Sequence, residues 1–268
     1  MKLYLVRHGQ STGNVGGTLM GQSDHLLTPL GQDQARAAAA RLAPFGPMPV
    51  YSSDLARARA TAEHIAVTWE AGGRTGVPPK VLLDPRLREI SLGEYEGRSW
   101  GEFEEDEALT AAFAADPYGT ALPNGESLKH LETRVLAAVA DILSHVGVAE
   151  TAAQRGDAVG RRDASTTDCN AVGDVSAGAG GLPPVENAQS ACLVAHDGPI
   201  RTILNHYLGV PLEKRWALSI AHGGVSMVEF VGGCVAICFV NATGHLAGIG
   251  WDTFAPDEPG GERPAGLR

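Results

Sequence analysis

Positive charge is in short supply in this chain: 21 lysines and arginines face 31 aspartates and glutamates, a formal net charge of −10 over 268 residues. An acidic surface cannot replace the counterions of nucleic acid in bulk, so the chain is a poor non-specific nucleic-acid binder. Any anionic ligand would need a local group of arginines working against the global field. Cysteine is scarce as well, with four scattered residues, Cys169, Cys192, Cys234 and Cys238. Cys234 and Cys238 fall in one strand-like run, which holds them roughly 13 Å apart, too far to share a metal ion. They read as reduced cysteines of a cytoplasmic protein rather than as a disulfide framework. Long apolar runs are missing: nothing approaches the ~18 residues of a membrane helix. The start, MKLYLVRHG, does not read as a signal peptide, because its apolar stretch ends at Arg7 and His8. The stretch GQSTGN lacks the lysine of a phosphate-binding nucleotide loop, GxxxxGK[ST].

Apolar residues make up 44% of the chain, enough for a sizeable core and too many for a disordered polymer. Lys2–Arg7, Pro49–Ser52, Val81–Leu83 and Ala191–Ala195 read as short buried strands, and the turn-rich stretch after the first carries several glycines. Helices are expected from Pro29 through the alanine-rich run, over Asp54–Trp69 with Ser53 or Asp54 as cap, over Ser127–Val146, and from Pro199 to Leu208. Ser127–Val146 is the clearest, since Leu128, Leu131, Val135, Val139, Ile142 and Val146 recur every three or four residues. Val225–Val231 and Cys234–Val240, separated by Gly232-Gly233, read as a hairpin. Strands alternating with helices predict a three-layer α/β/α domain, with a mostly parallel sheet closed by an antiparallel edge. The domain is expected over residues 1–254. Gly147–Gln189, without sustained period, reads as a low-complexity insertion or lid, and the segment from Ala255 as a disordered tail.

Polar clusters follow the predicted strands: Arg7-His8-Gly9, Ser52-Ser53-Asp54 with Arg57, Arg88-Glu89, and His196-Asp197-Gly198. In open parallel sheets, ligand sites form beyond the carboxyl ends of the strands, so these segments should converge. A phosphate ester suits such a set. Planar arginine forks bind phosphoryl oxygens in pairs, a neutral imidazole can attack phosphorus, and a carboxylic acid can protonate the leaving alkoxide. Ser11 and Thr12 have no Ser-His-Asp order behind them, so phosphate contact is the better reading. His222-Gly223-Gly224 precedes a strand rather than following one and is set aside, as are the remaining histidines. Glu89 could instead pair with Arg86 or Arg88, and Arg57 could be an exposed helix arginine.

The runs LVRHGQSTGN, GQSDHLLTPLG, YSSDLARARATA, LREISLGEYEG, PNGES and LVAHDGPIRTIL stand in the order found in the histidine phosphatase superfamily, the group that includes cofactor-dependent phosphoglycerate mutase. The chain resembles that family over all but the insertion and tail. The resemblance implies His8 as a transiently phosphorylated nucleophile and Arg7, Arg57 and His196 as phosphoryl ligands. It also implies Glu89 as proton donor and Asn14 as a phosphate or substrate contact. Ser11, Gly21 and Asp197 are taken as further candidates for substrate contact. It implies no metal and, in the phosphatase branch, no organic cofactor. A small phosphate ester is the expected partner, and charge and hydropathy point to neither nucleic acid nor membrane. LREISLGEYEG resembles the phosphatase branch, and PNGES with the Trp216 region resembles α-ribazole and broad-specificity phosphatases. A mutase-type isomerase and a catalytically impaired phosphate-ester-binding homologue are the alternatives. The chain departs from the pattern at Asp197, where glycine is usual, and at Met20, where many members have glutamine.

Overall fold

The structure, a computed structural model, describes residues 1–71, 80–146 and 190–250. The expected insertion at 147–189 and the expected tail from 255 lie outside the described residues.

Strands β1 (Lys2–Arg7), β2 (Val50–Ser52), β3 (Val81–Leu83), β4 (Ser190–Ala195), β5 (Val225–Val231) and β6 (Cys234–Ala242) form one sheet in the order β3-β2-β4-β1-β5-β6. The first four run parallel, and β5 joins β1 antiparallel. The β5–β6 turn is Gly232-Gly233, with φ of 57° and 84°. Paired positive φ angles match the right-handed twist of a tight hairpin and suit glycine, which has no Cβ to clash.

Among the described residues the α-helices are α1 (Thr12–Val15), α2 (Pro29–Leu42), α3 (Ala56–Ala71), α4 (Trp100–Glu104), α5 (Glu107–Ala115), α6 (Leu128–His145) and α7 (Asp197–Leu208). Two of their starts follow directly from sequence. Thr28 accepts from Gly31 N with Pro29 at the first helical position, and Ser127 accepts from His130 N. Along α6, Leu131, Val135, Val139 and Ile142 are buried, so the three-four stripe is the face that packs.

Alternation along β1 divides the core. Leu3 and Leu5 face a cluster with Leu131, Val135 and Val139 of α6 and Ile200, Ile203 and Leu204 of α7. Tyr4 and Val6 face Ala38 and Leu42 of α2 and Ala58, Ala62 and Ile65 of α3. Because strand side chains point alternately to opposite faces, a strand buried on both sides must sit between two helical layers. The result is the expected three-layer α/β/α arrangement with an antiparallel edge. Helices α4 and α5 carry no signal that the sequence made readable. They cover a satellite cluster of Leu19, Tyr95 and Leu122 with Phe103, Leu109 and Phe113. Among the described residues, no helix is long and apolar enough to cross a membrane.

Candidate active site

Parallel register brings the strand ends to one edge. Arg7 pairs with Ala195 across β1–β4, and Ser52 pairs with Val194 across β2–β4. The next residues, His8, Ser53 and His196, therefore emerge side by side. Both histidines are buried, and their ring centroids lie 4.9 Å apart at an interplanar angle of 62°.

The nearest partner of His8 settles its tautomer. Nδ1 lies 2.6 Å from Gly9 O, and a carbonyl only accepts, so Nδ1 carries the proton. The lone pair is left on Nε2. Burial pushes the His8 imidazole well below its ordinary range, and His196, Arg57, His222 and Arg7 push it further the same way. His196 is lowered likewise, by burial first and then by Arg57, Arg7 and Arg134. Neutral His8 is the form that can attack phosphorus. In His196, Nε2 lies 2.9 Å from Ser53 Oγ, while the buried Nδ1 has no hydrogen-bond partner among the described residues.

This pairing has a measurable consequence for stability. A histidine whose folded pKa is depressed binds fewer protons than in the unfolded chain, so stability is lost as pH falls below the unfolded value of 6.5. Each group contributes a slope of up to about 1.4 kcal/mol per pH unit. His64 and His245, also lowered by burial, act in the same direction. Calorimetry between pH 7.5 and 5.5 should show Tm dropping by about 5–10 °C, well above the carboxylate range. A flat Tm over that interval would contradict buried neutral histidines.

Arg57 is buried on α3, not exposed. Its terminal amines donate to Ser23 O at 2.8 Å and Gly21 O at 2.9 Å, and Nε has no partner among the described residues. It thus holds the Gly21–Ser23 loop and keeps N–H capacity for a ligand. Gly21 sits at φ +47°, and a Cβ there would come within 2.4 Å of Glu96 Oε1. Arg7 donates through Nη1 to Ile220 O and keeps Nε unpartnered among the described residues.

Glu89 is not a salt-bridge partner of its neighbours. Arg86 pairs with Asp84 and Asp141, Arg88 pairs with Asp54, and Arg134 pairs with Glu126. Arg134 also donates to the carbonyls of Arg86, Arg88 and Glu89, which fixes the segment that carries the acid. The Glu89 carboxyl group accepts from Ile90 N at 2.9 Å and from Gly198 N at 3.1 Å, at the N-terminus of α7. A Cβ on Gly198 would lie 2.2 Å from Glu89 Oε1, so the close approach of acid to helix requires glycine at 198.

Asp197 points at cations. Its Oδ2 lies 2.9 Å from Arg201 Nε one turn along α7, and Oδ1 lies 3.8 Å from Arg7 Nη1. These contacts are ion pairs without hydrogen-bond alignment. Unpaired, a carboxylate ~6 Å from a phosphoryl charge would cost roughly 3 kcal/mol at an effective dielectric of about 20. Arg201→Met should therefore weaken phosphate binding by up to about a hundredfold. Asp197→Asn in that background should restore most of the loss, whereas Asp197→Gly alone should change turnover less than about tenfold. Additive losses in the double variant, measured as inorganic-phosphate inhibition constants, would show the two residues are independent.

The remaining candidates are less engaged with this centre. Ser11 donates through both N and Oγ to Asn14 Oδ1 at 2.8 Å, a capping box for α1. GQSTG also spells the nucleophile-elbow pattern GxSxG, yet the hydroxyl of Ser11 is committed to Asn14 and the sulfur of Met20. His222, set aside on its position before a strand, is brought against His8 with ring centroids 5.5 Å apart. Gly223 N donates to the carbonyls of Arg7 and His8, so the segment before β5 folds back over β1. No local pattern signals that return. Among the described residues, no group of three or more His, Cys, Asp or Glu is placed to hold a metal ion.

Comparison with known proteins places this arrangement. The profile of the histidine phosphatase superfamily (branch 1) matches residues 3–152 and 177–243. A protein of Enterobacter sp. (strain 638), provisionally named phosphoglycerate mutase GpmB, is 38% identical over 144 residues. That match covers 53% of this chain and 63% of the relative, less than two thirds of its length. A protein of Hydrogenobacter thermophilus, provisionally named phosphoserine phosphatase 2, is 27% identical over 245 residues, 91% of this chain and 97% of the relative. Among solved structures, a mycobacterial glucosyl-3-phosphoglycerate phosphatase in complex with inorganic phosphate superposes with a TM-score of 0.63 at 25% identity, covering 90% of this chain and 97% of that one.

Proposed function

The chain belongs to the histidine phosphatase superfamily, and on that premise we propose that it is a phosphatase, passing the phosphoryl group of a small phosphomonoester through Nε2 of His8 to water. The observation that carries this reading is the buried pair His8 and His196, 4.9 Å apart, with the proton of His8 held on Nδ1 by Gly9 O.

The steps balance on residues of this chain. Nε2 of His8 attacks phosphorus as the ester P–O bond breaks, and the departing alkoxide takes a proton from Glu89. Each Glu89 oxygen accepts one backbone N–H and has a further lone pair for that proton. In the second half, Glu89 as carboxylate takes a proton from water, whose oxygen attacks the phosphohistidine as the N–P bond breaks. Arg7, Arg57 and His196 hold the phosphoryl oxygens as charge spreads over them. The reaction as written calls for neither metal nor organic cofactor, and the acidic chain and reduced cysteines suit a cytoplasmic enzyme acting on small molecules.

The name of the Enterobacter relative favours a second reading, a mutase that keeps the phosphoryl group for return to substrate. A screen of phosphomonoesters for released inorganic phosphate, run beside a phosphoglycerate interconversion assay, separates the two. Phosphate release from several esters without interconversion supports the phosphatase, and interconversion without release supports the mutase. Silence in both assays with retained ester binding would leave a binding homologue, the reading that the pairing of Asp197 with Arg201 disfavours.

A further inference from the structure

The catalytic edge is rich in buried arginine. Arg7, Arg57, Arg201 and Arg215 are the buried arginines among the described residues. A phosphoryl dianion matches Arg7 and Arg57, and Asp197 offsets Arg201. Arg134 and Arg88 are cancelled by Glu126 and Asp54. Arg215 is left with an Nε that has no hydrogen-bond partner among the described residues.

The surroundings of Arg215 and Arg201 are built rather than incidental. Arg215 is 4% exposed and Arg201 1% exposed. Nε of Arg215 and both terminal amines of Arg201 have no hydrogen-bond partner among the described residues. Both guanidinium carbons stand 4.9 Å from the ring centroid of Trp216, which is 46% exposed. Asn205 of α7 fixes the segment by donating to Arg215 O at 3.0 Å. Aromatic stacking and backbone anchoring preorganise a fork that would otherwise be a flexible side chain. Asp197 links the cluster to the catalytic edge, with Oδ2 2.9 Å from Arg201 Nε and Oδ1 3.8 Å from Arg7 Nη1. Glu89 accepts from Gly198 N on the same helix as Arg201, so the cluster lies on the side of the proton donor, where the leaving group departs.

We propose that Arg201, Arg215 and Trp216 recognise a second anionic group, a carboxylate, on the leaving-group portion of the substrate. This rests on the phosphatase reading above. A carboxylate is planar and presents two oxygens to a guanidinium fork. An uncharged alkyl group would leave these buried donors unpaired.

Matched esters test this on the wild-type protein. 3-Phosphoglycerate and glycerol 3-phosphate differ in carboxylate against hydroxymethyl, as O-phosphoserine and phosphoethanolamine differ in carboxylate against hydrogen. Wild-type kcat/KM should favour the carboxylated member of each pair by at least about tenfold. Arg215→Met should raise KM for the carboxylated esters by at least about tenfold while leaving KM for glycerol 3-phosphate within about twofold, and Arg215→Lys should recover part of the loss. Absence of a wild-type preference would overturn the proposal, and so would equal losses on both members of a pair. If the wild type turned over no ester, it is the phosphatase reading that fails. Calorimetric binding of 3-phosphoglycerate against glycerol 3-phosphate would then decide the inference, with equal affinities counting against it. Should Arg215→Met not fold, the wild-type preference still decides.

Discussion

Replacing His8 with alanine is expected to abolish turnover, by roughly 10⁴-fold or more, while the protein stays folded. A covalent nucleophile has no substitute within reach. His196 is committed through Nε2 to Ser53, and His222 meets His8 ring to ring. The structural cost is small by comparison, because the recorded hydrogen bond of the His8 side chain goes to the adjacent Gly9 carbonyl and ties no distant elements together. Acid quenching of the wild type during turnover should trap phosphate that is lost on heating in acid, and the variant should trap none. A variant that keeps most of its activity would remove the nucleophile from the mechanism and the phosphohistidine with it.

The second large effect is expected at Glu89. Glutamine is nearly the same shape and keeps an acceptor for Gly198 N or Ile90 N, but it cannot deliver a proton. Glu89→Gln should slow alkyl phosphates by about 10²–10⁴-fold, since their leaving alkoxide is strongly basic. An aryl phosphate such as p-nitrophenyl phosphate, whose leaving group needs little help, should lose less than about tenfold. Arg134 holds the Glu89 backbone through its carbonyl, a contact that the substitution leaves alone. Equal losses on both ester types would make Glu89 a structural anchor of the α6–α7 junction and not an acid.

Much of this site could be read before folding, and the reason is locality. Arg7-His8-Gly9 and His196-Asp197-Gly198 each follow a short apolar run, and parallel strands expose the residue after the run at one edge of the sheet. The pairing of Asp197 with Arg201 was also foreseeable, because residues four apart share a helix face. Glu89 is different. Its neighbours Arg86 and Arg88 offered ion pairs in sequence, but both arginines turn to other acids, and a glycine from a helix over a hundred residues away receives the carboxyl group.

Sequence by itself determined the strand and helix spacing, the layering implied by alternation along β1, and the residue types that gather beyond the strands. These depend on local periodicity and on the chemistry of a few side chains, which survive any choice of topology. Only the tertiary structure decided that β4 inserts between β2 and β1, that the segment before β5 returns His222 to His8, and that Arg201 and Arg215 meet over one Trp216 ring. Those contacts join residues that no helical or strand period relates. They follow from the order of crossovers and from which buried surfaces close against each other, and neither is written in a local pattern.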